Sequence, residues 1–114
     1  MDSFSAQLVI KALDGLAQRA TVTAQNIANG GTPGYRPFRL TFETALSQAA
    51  GKGEAAVRAV KPNIERAPVE FGEDGMRLDL ELATASSTAL RYSALVDLLN
   101  RQMQINALAV AGGN

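Results

Sequence analysis

The sequence predicts a mainly α protein, with long N- and C-terminal heptad helices packed as a coiled-coil pair and a small irregular, β-hairpin-containing middle segment. Three observations predict it. Small and apolar residues recur at alternating spacings of three and four along both ends of the chain. The stretch between them is broken by Gly51, Gly53, Pro62 and Pro68. Aromatic residues make up only 5% of the 114 residues and Trp is absent, so large core-forming groups are few and an elongated shape is expected.

A chain of this length holds one small domain. Segments 1–30 and 80–114 are expected to form the terminal helical core together. Segment 31–79 is expected to be loop with a small β-containing part, the whole making one structural unit.

The first helix is expected from about Ser3 to Asn29. Ala6, Val9, Leu13, Leu16, Ala20, Thr23 and Ile27 form its seam, and Ile10, Ala17 and Ala24 widen the stripe. Ser3 is the expected N-cap, with Asp2 near the positive end of the helix dipole. Gly30 and Gly31 suit a left-handed C-terminal cap, and Pro33 forbids continuation. At a rise of ~1.5 Å per residue this helix is a rod of roughly 40 Å.

Thr32-Pro33-Gly34-Tyr35 reads as a turn. The stretch from Arg39 to Gln48 is expected to begin extended and finish helical. From Ala49 to Pro68 the glycines, prolines and charges predict a mostly exposed, mobile loop. Val69 and Phe71, then Met76, Leu78 and Leu80, alternate around Asp74-Gly75, which predicts a hairpin. The second long helix is expected from about Leu80 to Ala109. Its seam is Leu82, Ala85, Ala89, Tyr92, Val96, Leu99, Met103, Asn106 and Val110, broadened by Leu95 and Leu98. The coiled core is therefore assigned to Val9, Leu13, Leu16, Ile27, Val96, Leu99 and Met103. Both seams are rich in alanine, so an isolated pair buries little area, and neighbouring molecules are expected to cover the rest.

Composition narrows the function. Eleven Lys and Arg balance eleven Asp and Glu. Nucleic acid is therefore not an expected partner, and neither is an anionic membrane, since both need a basic field. With neither Cys nor His, the chain lacks thiol chemistry and the usual transition-metal ligands, so no cofactor and no enzyme activity are expected. Ser86, Ser87 and Thr88 have no histidine to activate them and read as polar helix positions. Asp79 and Glu81, two apart, read as the solvent side of an alternating strand rather than as paired catalytic carboxylates. Gly51-Lys52-Gly53 lacks the spacing of a phosphate loop. The start of the chain lacks the basic and apolar run of a cleavable signal, so any export is expected to proceed without cleavage.

The most specified stretch runs from Gln25 to Tyr35. Asn26 and Asn29 share a helix face. Capping explains Asn29, but a mid-helix Asn26 is unfavourable unless it fixes the following turn or bonds a neighbour. Tyr35-Arg36-Pro37-Phe38-Arg39 interleaves aromatics with cations and suits docking on an acidic protein surface better than single-stranded nucleic acid.

Gln25-Asn26-Ile27-Ala28-Asn29 followed by Thr32-Pro33-Gly34-Tyr35 resembles the N-terminal signature of bacterial flagellar axial proteins. Tyr35-Arg36, then Arg39-Leu40-Thr41-Phe42-Glu43 and Leu46, together with Ala89-Leu90-Arg91-Tyr92, are similar to the proximal rod proteins of the FlgB type. Asp74-Gly75 resembles the segment that precedes that family's C-terminal helix. Gly30-Gly31 and Met76 depart from its pattern, and the resemblance covers both ends well and the middle poorly. It implies a structural subunit of the flagellar basal-body rod, exported unfolded by the type III apparatus and assembled helically in the periplasm. The implied partners are further copies of itself, other rod proteins, the adaptor joining the membrane ring to the rod, and the export gate, with no small-molecule substrate. The expected assembly residues are Asn26, Asn29, Thr32, Pro33, Gly34, Tyr35, Arg36, Arg39, Phe42, Arg91 and Tyr92. The alternative is a cytoplasmic helical-hairpin adaptor or chaperone-like module holding a partner helix in a groove.

Overall fold

A computed structural model describes residues 1–68 and 76–112. Two long helices, α1 (Ser3–Ala28) and α4 (Leu78–Gly112), pack against one another. Between them in sequence come β1 (Phe38–Thr41), α2 (Glu43–Ala50), α3 (Glu54–Ala59) and β2 (Asn63–Arg66). Asn26 near the end of α1 meets Glu81 near the start of α4, while Leu8 and Leu95 line one groove, so the long helices run antiparallel. The molecule measures 68 × 27 × 14 Å, with a radius of gyration of 18.0 Å. A compact chain of this length has a radius near ~13 Å, so the expected elongation is present.

The first helix begins at Ser3 as expected, but its N-cap is Asp2 rather than Ser3. The Asp2 carboxylate accepts the Ser5 N–H at 2.6 Å. That bond holds the Asp2 carboxyl below its ordinary pKa. At the other end Asn29 caps the helix. Its side-chain amide donates to the Gln25 carbonyl at 2.9 Å, and its backbone N–H reaches the same oxygen. Neither Gly30 nor Gly31 has a positive φ, which corrects the left-handed cap expected there. The chain leaves instead through successive tight turns, Gly30 N–H to Ile27 C=O and Thr32 N–H to Asn29 C=O.

Strand β1 then runs antiparallel to β2, with Leu40 opposite Ile64 and Phe38 opposite Arg66. The stretch from 49 to 68, expected as a loop, therefore contains the end of α2, all of α3 and the second strand. Every residue of β2 is exposed, so it shows no buried alternation. Of the expected hairpin, residues 69–75 lie outside the described residues. Leu78 and Leu80, expected in its second strand, form the first turn of α4.

The best-buried apolar cluster is not in the long-helix seam. Leu40 and Phe42 from β1 and the residue after it, Leu46 and Ala49 from α2, and Val57 from α3 pack on Leu16 of α1. Of the seven residues assigned to the coiled core, Leu16 is the one in this cluster. Val9, Leu13, Ile27, Val96 and Leu99 are half-buried, and Met103 is 59% exposed.

Both packed stripes are rotated from the apolar pattern. On α1 the packed face follows Leu8, Ala12, Gly15, Arg19, Val22 and Asn26, broadened by Leu16 and Thr23. On α4 it follows Glu81, Ala85, Thr88, Leu95, Leu99 and Gln102, while Leu82 and Ala89 face solvent. The three–four alternation is kept. The phase moves by one position because polar Arg19, Asn26, Glu81 and Thr88 point inward, and a pattern built on apolar residues passes over them.

Candidate functional site

The site is the corner where α1 ends and the chain turns back. The Thr32 carbonyl accepts the Tyr35 N–H at 3.1 Å, with Pro33 at the second position of the turn and Gly34 at the third. Gly34 has φ +75°. These are the features of a type II turn, which needs the left-handed conformation at its third residue and favours Pro at its second. Thr32, Pro33 and Gly34 are exposed, and the turn aims Tyr35 back at α1.

Asn26 receives it. This side chain is 1% exposed and makes four hydrogen bonds. Its amide nitrogen donates to the Phe38 carbonyl at 2.9 Å and to Glu81 Oε2 at 3.1 Å. Its amide oxygen accepts the Tyr35 hydroxyl and the Phe38 N–H, each at 2.9 Å. An asparagine amide has two donors and room for two acceptors, so Asn26 is fully used within the chain. Its amide joins the end of α1, the turn, the start of β1 and the start of α4, and this explains an asparagine inside a helix.

Glu81 is also 1% exposed. It lies in the first turn of α4, which corrects its expected place on the solvent side of a strand. Its second oxygen accepts from Arg39 Nη1, so the buried carboxylate has both a cation and an amide as partners. A buried charge is tolerated when it is paired and hydrogen-bonded. Asp79 stays exposed and pairs with Arg77, which holds its carboxyl below the ordinary value. Ser86 and Ser87 are exposed, and Thr88 faces inward.

A second network lies about two turns back along α1. Arg19 donates from Nε and Nη2 to the Leu40 carbonyl at 3.3 and 3.0 Å. It also grips Glu43 through two bonds of 2.9 and 2.6 Å. The guanidinium lies over the Phe42 ring, 5.0 Å from its centre. The hydrogen bond from Arg19 is the largest influence on Glu43 and lowers its pKa from 4.5 to about 2. Arg91 of α4 approaches the same carboxylate at 3.6 Å. Phe42 is buried against Gly15, where an added Cβ would sit 2.5 Å from the ring. Only glycine permits this approach.

The remaining expected residues are distributed around this corner. Arg36 donates to the Ala67 carbonyl at 2.9 Å, and Arg66 covers Phe38 with 4.6 Å between guanidinium and ring centre. Arg36 and Arg39 are therefore engaged within the chain. Tyr92 is 40% exposed on α4 and Arg91 is exposed beside it.

Arg19, Glu43, Glu81 and Gly15 were not anticipated. The signal for Glu81 was its phase: it lies four residues before Ala85 and seven before Thr88. Gly15 falls on the same inward phase of α1, between Ala12 and Arg19.

An open apolar groove of about 490 Å³ runs beside the second network, between α1, α2 and α4. Leu8, Ala12, Leu16, Phe42, Leu46 and Leu95 line it, and Glu43 and Arg91 stand at its rim. Ten of the twelve large apolar residues exposed among the described residues belong to α4, so that helix carries most of the uncovered apolar surface. Among the described residues no helix is long and apolar enough to cross a membrane. The chain matches no protein-family model and no curated protein.

Proposed function

We propose that this chain is a structural subunit of a flagellar basal-body proximal rod. It assembles helically with copies of itself and with other rod proteins, transmits torque, and walls the export channel in the periplasm. The observation that carries this reading is the corner. The residues that resemble the axial-protein signature are the ones with a demanding structural role: Asn26 ties four segments, Gly34 makes the turn, and Tyr35 closes it. A joint of this kind sets a fixed angle between a long helix and the rest of a subunit, which a torque-bearing polymer needs. The uncovered apolar residues of α4 supply surface for neighbouring subunits. The ring–rod adaptor and the export gate are the further partners on this reading, and export proceeds without signal cleavage.

Deletion of the gene in its host is the test. Non-motile cells whose membrane rings lack a rod are expected, with both rod and motility restored by the intact gene. Motile deletion cells would overturn the reading. The apolar groove favours the second reading, an adaptor that holds a partner helix. Purified protein imaged at rising concentration separates the two: rod-shaped or helical particles belong to the subunit, and a discrete dimer belongs to the adaptor.

A further inference from the structure

The two long helices differ in length, with 26 residues in α1 and 35 in α4. Asn26 lies against Glu81, and the helices run antiparallel. Equal rise along both then brings Ser3 level with about residue 104 of α4. The rest of α4 extends past its partner, and Met103 to Gly112 are all exposed. Gln102 to Gly112 contain no charged residue. Ile105, Leu108 and Val110 are 57%, 73% and 76% exposed. Leu98, Ile105 and Leu108 follow one another at spacings of seven and three, so they form a single stripe. An apolar stripe on a free helix end is costly in water.

The groove beside Phe42 is its complement, an open channel with apolar walls. The end of α4 cannot enter the groove of its own molecule. Leu95 is part of the groove wall, and Leu108 lies thirteen residues further along the same helix, about 20 Å away. The occupant must come from another molecule.

We propose that the charge-free end of α4, through Ile105 and Leu108, docks in the apolar groove of a second copy of this chain. The choice of a second copy rests on the self-assembly proposed above, and the area agrees with it. The chain exposes 7661 Å². A compact monomer of 12.0 kDa exposes about 6,000 Å². The excess matches about two standard interface faces of ~800 Å² each. One donating face and one receiving face on every subunit make a heterologous contact, which can repeat without closing.

The chain has no cysteine, so the introduced thiols are the only ones present, and the species scored is the disulfide between the two different variants. Leu108→Cys and Ser47→Cys are made in separate chains, mixed, and treated with copper–phenanthroline. Ser47 lines the groove and Leu108 is exposed, so neither change disturbs the core. A disulfide-linked dimer is expected. Its yield should fall at least tenfold when the groove chain also carries Ala94→Glu, or when Gln18→Cys, exposed on α1 outside the groove, replaces Ser47→Cys. In sedimentation, Leu108→Asp should lower the average mass toward monomer while leaving helicity unchanged. Equal cross-linking to the Gln18→Cys chain overturns the proposal, as does no cross-linking between chains that circular dichroism reports as folded. A positive cross-link with motile deletion cells removes the rod reading and keeps the contact. Rodless deletion cells with no cross-link do the reverse.

Discussion

Asn26 of α1 and Glu81 of α4, 55 residues apart in sequence, share a hydrogen bond of 3.1 Å at the corner of the molecule, each side chain's residue being 1% exposed. The two long helices are thus joined at that end through polar groups rather than through the apolar seam.

Asn26→Ala removes four hydrogen bonds and leaves Glu81 with Arg39 alone. Buried groups that lose partners cost about 1–3 kcal/mol each before relaxation, so a loss of about 3–5 kcal/mol is expected in urea unfolding. Tyr35→Phe deletes one of these bonds and should cost about 1 kcal/mol. An Asn26→Ala loss no larger than that of Tyr35→Phe would mean that the amide does not hold the corner.

Gly15→Ala reverses the usual sign. In an open helix interior the change gains about 0.5–1 kcal/mol. Here the new methyl meets the Phe42 ring at 2.5 Å. Overpacking of this kind costs about 1–3 kcal/mol, so the variant should melt lower than the wild type. With Phe42→Leu in place, the Gly15→Ala methyl should cost less than in the single variant, a coupling that a double-mutant cycle measures.

Gly31 and Gly34 should respond oppositely. A Cβ at Gly31 meets nothing within 4 Å, and its φ is not positive. Gly31→Ala should therefore stabilise by about 0.4–1 kcal/mol through the unfolded chain. Gly34 has φ +75°, and Gly34→Ala should cost about 1–2 kcal/mol. Thermal melts of the two single variants check the order.

The Glu43–Arg19 pair sets an acid response. The Glu43 pKa falls from 4.5 to about 2 in the folded chain. Its contribution is therefore present above about pH 4.5 and is lost as pH drops toward 2. The Glu43 side chain is 48% exposed, so solvent screening limits this contribution to about 1 kcal/mol or less. Glu43→Gln should flatten the stability profile between pH 4.5 and 2 relative to wild type. An unchanged slope would show that other carboxylates govern that range.

What could be read from the sequence follows from the range of the forces involved. Both long helices and the Thr32–Tyr35 turn were legible because local sterics and periodicity govern them. The extended-then-helical reading of Arg39 to Gln48 agrees with β1 and α2. Strand β2 was not legible. It is exposed along its length, and its position depends on backbone pairing with β1, whose first residue lies 25 residues before its own, rather than on its own side chains. The rotated seams have a different cause. An inward Glu or Asn looks like a surface residue until its partners are known, and those of Glu81 come from α1 and β1. At the corner, Asn26 stood out because a helix interior disfavours it, whereas Glu81, two residues from Asp79, read as a solvent-side carboxylate.

The Asn26–Glu81 bond also acts as an axial detent. Alanine-rich helices present smooth flanks, and nothing in such flanks opposes sliding by one turn. A slip of α4 by about four residues would bring Ala85 or Arg77 opposite Asn26. Ala85 offers the amide no acceptor, and Arg77 would carry a cation into a pocket shaped for a carboxylate, while Glu81 would be stranded from Arg39. Slippage in either direction loses the same bonds, so Asn26 and Glu81 specify one register by chemical identity, beside the packing of Leu95 on the core cluster.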